Sequence, residues 1–191
     1  MEFKDVVRGR RSIRAFTDEP VSREVMGRIL ETATWAPSAQ NLQPWFFQVL
    51  TKEEDLAWLF ATVGTTAFSH RKHLEERYKN HPEIVESTMA FMEAMGGAKA
   101  VVLAYLYRPE YNEDVRESVV QSVAAAMNDL CLAAYEEGVG TCWVEHVTRV
   151  GGQIRDHFAP EHGALIGAVV MGYPAQSPRP PKRKGGRIEF R

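Results

Sequence analysis

The chain has 191 residues, 45% of them hydrophobic and 25% charged, proportions that exclude collagen-like, low-complexity and intrinsically disordered readings. Its longest wholly apolar run, residues 100–107, is eight residues long where a membrane-spanning helix needs about 20, so no such helix is expected. The net charge of −2 conceals two cationic ends: residues 8–14 carry +4 and residues 178–191 carry +5, which leaves −11 for the rest.

In chain order, residues 3–9 read as a short helix closed by Gly9. Ser22 is placed to cap a helix running to about Trp35, with Glu24 near its positive end and Met26, Ile29, Leu30 and Ala33 on one face. Pro37 stops it. Residues 45–51 are aromatic and β-branched and read as a strand. Residues 53–67 and 82–95 read as helices. The polar stretch between them, residues 69–81, takes no assignment and is a candidate mobile segment. Residues 99–107 read as a buried strand, and 114–136 as a long helix apolar on much of its circumference, which suits a core or a subunit interface. A strand over 141–146, a short helix over 148–158 and a buried strand over 164–172 follow. Four prolines at 174, 178, 180 and 181 then end regular structure and open a basic extended tail, residues 174–191.

No internal repeat or linker divides the chain, so residues 1–191 are expected to form one domain. Strands interleaved with helices predict an α+β sandwich, a sheet covered by helices, rather than a doubly wound sheet. Two cysteines are too few for a disulfide framework, and the first residues lack a signal-peptide pattern, so the expected location is cytoplasmic with reduced thiols. Cys142 reads as a small buried hydrophobe.

Several chemistries are excluded by their motifs. The glycine run Gly138-Val139-Gly140-Thr141-Cys142-Trp143 leaves a helix and enters a strand, the reverse of a dinucleotide fingerprint, and Trp143 fills the third glycine position. No Walker loop, HExxH, CxxC or GxSxG is present, so no metal is expected. A basic tail alone is no nucleic-acid footprint when the body is acidic, and neither nucleic acid nor membrane is expected as a partner.

Two clusters remain. Arg10-Arg11-Ser12-Ile13-Arg14 is dense in anion-binding groups. In an extended stretch Arg10, Ser12 and Arg14 point one way, Arg11 and Ile13 the other, so the first three reach one ligand. Solvated arginines at a turn remain an equal reading of this segment alone. The second cluster, Pro37-Ser38-Ala39-Gln40-Asn41-Leu42-Gln43-Pro44, is a loop stiffened by two prolines. Its amides and hydroxyls donate and accept, which suits the edge of a flat heterocycle. Ordinary turn chemistry accounts for it equally well.

Together the order RRSIRAF, APSAQNLQPW, GVGTCWVEH, GALIGAVVMGYP and a basic tail resembles the nitroreductase family of FMN-dependent oxidoreductases over nearly the whole chain. The resemblance implies a homodimer with FMN at the subunit interface, built on an α+β three-layer sandwich with a central mixed, mainly antiparallel sheet flanked by helices. It implies that Arg10, Arg11 and Ser12 lie at the phosphate, and that Arg14 gives electrostatic support at the pyrimidine edge of the ring. Pro37, Ser38, Ala39, Asn41 and Gln43 would line the ring from the second subunit. Trp143, Val144, Glu145 and His146 would lie behind the flavin, and Lys182 and Arg183 would close on the phosphate. It further implies ping-pong transfer of hydride from NAD(P)H through flavin N5 to a small electron-poor acceptor such as a nitroaromatic, quinone or enone. The cofactor carries the chemistry, so no catalytic side chain is expected. A flavin-binding redox or sensor protein without NAD(P)H turnover is the alternative. Three departures stand out. Many members carry glycine where His146 stands, so its imidazole either narrows the pocket or turns into the core. The tail reads KRKGGRIEF, which leaves open which base reaches the phosphate. Residues 69–81 match no motif, and His70, Arg71 and Lys72 either contact the cofactors or are solvated.

Overall fold

The structure, a computed structural model, describes residues 1–108, 111 and 113–191. Four strands form one antiparallel sheet: β1 (Trp45–Leu50), β2 (Ala100–Leu106), β3 (Gly140–Val144) and β4 (Leu165–Gly172), in the order β1-β2-β4-β3. Trp45 pairs with Leu106, Val102 with Val169 and Gly140 with Gly172. A bulge between Ala104 and Tyr105 shifts the β2–β4 register by one residue. The parallel component of the sheet is a single bridge between Ser12 and Thr141 on the outer side of β3.

The helices are α1 (Phe3–Gly9), α2 (Arg23–Ala33), α3 (Glu53–Gly64), α4 (Ala67–Arg77), α5 (Pro82–Ala94), α6 (Glu113–Glu136) and α7 (Gly151–Phe158). Strand alternation sends successive side chains into two cores, one on each face of the sheet. On one face Val102, Ala104, Leu106, Val169 and Met171 meet Met26, Ile29 and Ala33 of α2 and Val119, Val123, Met127 and Leu130 of α6. On the other, Val101, Leu103, Tyr105, Ala168 and Val170 meet Leu56, Leu59 and Val63 of α3, Phe91 of α5 and Ile154 of α7. The result is the three-layer α+β sandwich expected. Most of the apolar circumference of α6 is spent inside this chain, on Val119, Val123, Ala126, Met127, Leu130, Cys131, Ala133 and Ala134.

Local chemistry explains the boundaries. The Ser22 hydroxyl accepts the Val25 N–H at 3.3 Å and starts α2. Its end at Ala33 comes two residues earlier than expected, because the Thr34 hydroxyl donates to the Glu31 carbonyl at 2.7 Å. α4 occupies most of the stretch left unassigned from sequence. It buries little apolar surface: Ala67 is buried, and Leu74 and Tyr78 pack partly against Val85, Met89 and Met92. What anchors it to α5 is polar, with the Arg71 guanidinium donating to both oxygens of Glu86 at 2.7 and 3.1 Å. β3 ends at Val144, two residues short of the expected strand. Glu145 has helical angles, and a 3₁₀ turn runs over His146–Val150.

Candidate functional site

The arginine segment runs along the outer side of β3. The Ile13 N–H donates to the Thr141 carbonyl at 2.8 Å, and the Thr17 N–H to the Tyr173 carbonyl at 2.9 Å. Ile13 is buried against Gly140, where a Cβ would lie 2.8 Å from its Cγ1. Ile13 points inward while Arg14 is exposed, but the expected grouping of Arg10, Ser12 and Arg14 on one side is not seen: Arg10 shares a cavity with Arg11 and Ile13.

Arg10 and Arg14 line two different cavities. The first, about 370 Å³, is bounded by Arg10, Arg11, Tyr135, Thr141, Gln176 and Ser177. The second, about 870 Å³, is bounded by Arg14, Tyr78, Ser87, Thr88, Phe91 and Gly96. Gln176 and Pro178 belong to both, so the cavities adjoin beneath the start of the tail. Both volumes fall in the range of small-molecule sites. Neither lining includes an aspartate or a glutamate. Among the described residues Arg10, Arg11 and Arg14 form no ion pair. Arg11 is turned back instead, donating to the Arg8 and Arg10 carbonyls at 2.7 Å each, where its charge also complements the C-terminal end of α1. Ser12 lines neither cavity. It lies beside Cys142, whose thiol is pushed up by burial against the opposing pull of Arg14, the Ser12 hydroxyl and Arg10. That thiol is buried and protonated, as the sequence suggested.

The loop over residues 37–43 is elsewhere. Pro37, Ser38, Ala39, Asn41 and Gln43 line neither arginine cavity and border three others instead. Gln40, Asn41 and Gln43 take left-handed angles, φ 52, 53 and 45°. For residues with a Cβ this costs about 1–2 kcal/mol each. Two serines hold the loop. Ser38 Oγ accepts the Gln43 N–H at 3.1 Å, and the buried Ser122 of α6 accepts the Ala39 N–H at 3.0 Å while donating to the Ser118 carbonyl at 2.7 Å. A single chain therefore does not bring the loop and the arginines together.

At the end of β3, Val144 is buried and Trp143 is half exposed, with its indole Nε1 at 3.1 Å from where a Cβ on Gly167 would be. Glu145 is exposed and accepts the Thr148 hydroxyl at 3.2 Å. His146 is turned into the protein. Its Nε2 is buried without a hydrogen-bond partner, and its ring meets that of His70 on α4 edge to face, centroids 5.9 Å apart. Burial holds its pKa down from 6.5 to about 4, with His70 and Arg149 acting in the same direction and Glu145 opposing. Of the three open residues on α4, His70 thus packs on His146, Arg71 binds Glu86, and Lys72 is exposed.

The tail passes over the site at Gln176, Pro178 and Pro180, whereas Lys182 and Arg183 are fully exposed and line neither cavity. Sequence reasoning missed Tyr135, Phe91, Gln176 and Ser122. The first three enter the site through contacts distant in sequence, and Ser122 looks like any polar residue in a helix.

Comparison with known proteins agrees with this geometry. The family model described as "Nitroreductase family" matches residues 7–173. A Bacillus subtilis protein named as an NAD(P)H nitroreductase is 28% identical over 98% of this chain and 92% of its own. A 4-nitrobenzoate reductase from Nocardioides is 28% identical over 90% and 80%. A crystal structure of a Desulfovibrio desulfuricans protein, described as a nitroreductase in complex with FMN, superposes with a TM-score of 0.75 at 26% identity, covering 100% of this chain and 96% of the other. With its arginine segment, its sheet and its β3 corner all inside the matched span, the chain belongs to the nitroreductase family.

Proposed function

We propose that this chain is an FMN-dependent oxidoreductase that draws reducing equivalents from NAD(P)H and passes them, by a ping-pong sequence, to a small electron-poor acceptor such as a nitroaromatic, quinone or enone. The observation that carries the reading is the pair of adjoining cavities lined by Arg10, Arg11 and Arg14 and by no carboxylate. That donor set fits a phosphate ester joined to a flat ring. Unpaired guanidiniums suit the dianionic end, and an aromatic and aliphatic wall of Tyr78, Phe91 and Leu74 suits the ring. Named relatives that use NAD(P)H or are crystallised with FMN support the same choice.

When bound, FMN supplies the hydride acceptor and donor of both half-reactions. The protein's part is to bind and to tune. Arg10, with the turned-back Arg11 beside it, would hold the phosphate, Ser12 would support the segment from beside Cys142, and Lys182 and Arg183 would close over the phosphate. Arg14 would set a positive charge beside the ring, which favours its reduced form. Trp143, Val144 and the backbone of Glu145 and His146 would form the wall behind it. His146 stays neutral at physiological pH and is packed on His70, so it shapes this wall and is a poor proton donor.

The loop of residues 37–43 serves the ring of a second copy in this reading, because within one chain it does not reach the arginine cavities. The protein would therefore act as a homodimer in the cytoplasm, where its two buried thiols stay reduced. The test is an absorption spectrum of the purified protein and anaerobic titration with NADH and NADPH after FMN reconstitution. Flavin bands bleached by a nicotinamide support the proposal. Colourless protein that leaves NADPH oxidation at background after reconstitution overturns it. Bound FMN without nicotinamide-dependent reduction would favour a redox sensor. A stable monomer with full FMN occupancy in sedimentation would contradict the dimer.

A further inference from the structure

Arg14 is the member of the arginine segment that faces the larger cavity, and its surroundings are unlike those of an ordinary surface arginine. The carbon at the centre of its guanidinium lies 5.8 Å from the ring centroid of Phe91, within cation–π range. Phe91 is buried on the last turn of α5 and lines the same cavity. Three consecutive left-handed residues follow that helix: Met95, Gly96 and Gly97, with φ of 48, 66 and 74°. Met95 is buried, and a left-handed methionine persists only where its surroundings hold it there. What the turn accomplishes is a close approach to Arg14. A Cβ on Gly96 would collide with the Arg14 carbonyl oxygen and lie 2.7 Å from its carbon. The Phe16 N–H donates to the Gly96 carbonyl at 3.2 Å, fixing the segment just beyond Arg14 to the same turn.

We propose that Phe91 and the Met95–Gly97 turn form a seat for Arg14, with Phe91 as the positioning residue that aims its guanidinium at the ring-binding half of the site. The inference rests on the FMN reading above and adds to it how the charge is held. An aromatic face orients a cation without neutralising it, whereas a carboxylate partner would cancel most of the field that reaches the cavity. The exposed Arg14 side chain has no other fixed partner among the described residues, so without the ring it is free to swing into solvent. The charge that bound FMN gains on reduction would then be stabilised less, and the oxidised ring would lose one wall.

The test uses Phe91→Leu, which keeps apolar volume and loses the π face, beside Phe91→Tyr, which keeps both. Phe91→Met repeats the loss with a side chain that repacks easily, so the result does not hang on one variant folding. In Phe91→Leu, FMN and riboflavin are both expected to bind about three- to fivefold more weakly, since the seat acts at the ring and not at the phosphate. The two-electron midpoint potential moves down, and Phe91→Tyr restores it. In an Arg14→Gln background, Phe91→Leu changes the potential no further. The seat is overturned if Phe91→Leu and Phe91→Met keep the wild-type potential and affinity, or if the shift persists in the Arg14→Gln background. Wild-type protein that takes up no flavin overturns the FMN reading and the seat together, a result distinct from a variant that matches a flavin-loaded wild type.

Discussion

His146 shows how much one residue's surroundings decide. On sequence two outcomes stand open for it, an imidazole that narrows the pocket or one turned into the core. In the structure its Nε2 is buried and unpartnered and its ring abuts His70. Burial is the largest cause of its lowered pKa, followed by His70, with Glu145 pulling the other way and Arg149 adding to the depression. The unfolded ring takes up its proton near 6.5, the folded one near 4. Between those values the unfolded state binds more protons, so stability falls as pH drops through the window and the loss is complete below it. The contribution is on the order of 2 kcal/mol, and it is present at pH 7. His146→Phe keeps a ring against His70 and removes the titration. Urea midpoints measured at pH 7 and pH 4 should therefore fall less in the variant than in the wild type. Equal slopes in both would show that other groups carry the acid sensitivity.

Among the elements, the strands were the easiest to anticipate, because Ala100–Leu106 and Leu165–Gly172 are apolar on both faces and only a sheet covered on both sides uses such runs. α4 was the hardest. Its apolar packing is through Ala67, Leu74 and Tyr78 alone, and its polar contacts, Arg71 with Glu86 and the side-chain bonds of Thr66 and Ser69, leave no mark on hydrophobic periodicity. β3 ends two residues before the strand expected from sequence; no glycine or proline marks the break after Val144, and only the turn geometry reveals it. The arginine segment and the 37–43 loop were legible because their residue types are unusual for where they stand. That they stand apart within one chain follows only from the family resemblance, which puts the loop on a second subunit; no residue pattern announces it, because it is a matter of packing. The loop also exposes a dependence that no local motif announces. With three left-handed residues to hold, it relies on Ser122 of α6, 83 residues away in sequence from Ala39 but within hydrogen-bond distance of it. Ser122→Ala strands the Ala39 N–H and is expected to cost about 1–2 kcal/mol in chemical denaturation. Amide exchange at residues 39–43 should quicken by a comparable factor. Unchanged exchange would mean that Pro37 and Pro44 alone keep the loop in shape.

At the scale of the molecule, the uncharged start of the basic tail is brought beside the arginine segment. The Ala175 N–H donates to the Ala15 carbonyl at 2.9 Å, and Phe16 bridges Pro174, so the tail departs directly beside the arginine segment. Charges of like sign converge there with no carboxylate in the cavity linings. Such an arrangement is repulsive until an anion enters it. In the proposed reading, the field that disfavours closure without a ligand would then draw the tail inward, and Lys182 and Arg183 would form a lid whose position depends on the ligand's charge. In this structure they are exposed, and the part of the tail over the site is Gln176, Pro178 and Pro180. The lid is tested by replacing Lys182 and Arg183 together with alanine, which leaves the proline wall in place. FMN affinity should drop about three- to tenfold, in line with the loss of one or two exposed charge-assisted contacts. Its dependence on salt should become shallower by the same reasoning. Riboflavin, which lacks the phosphate, should bind the variant and the wild type alike. A loss shared equally by FMN and riboflavin would make the tail a wall for the ring, and no loss for either would leave the basic run a solvated end.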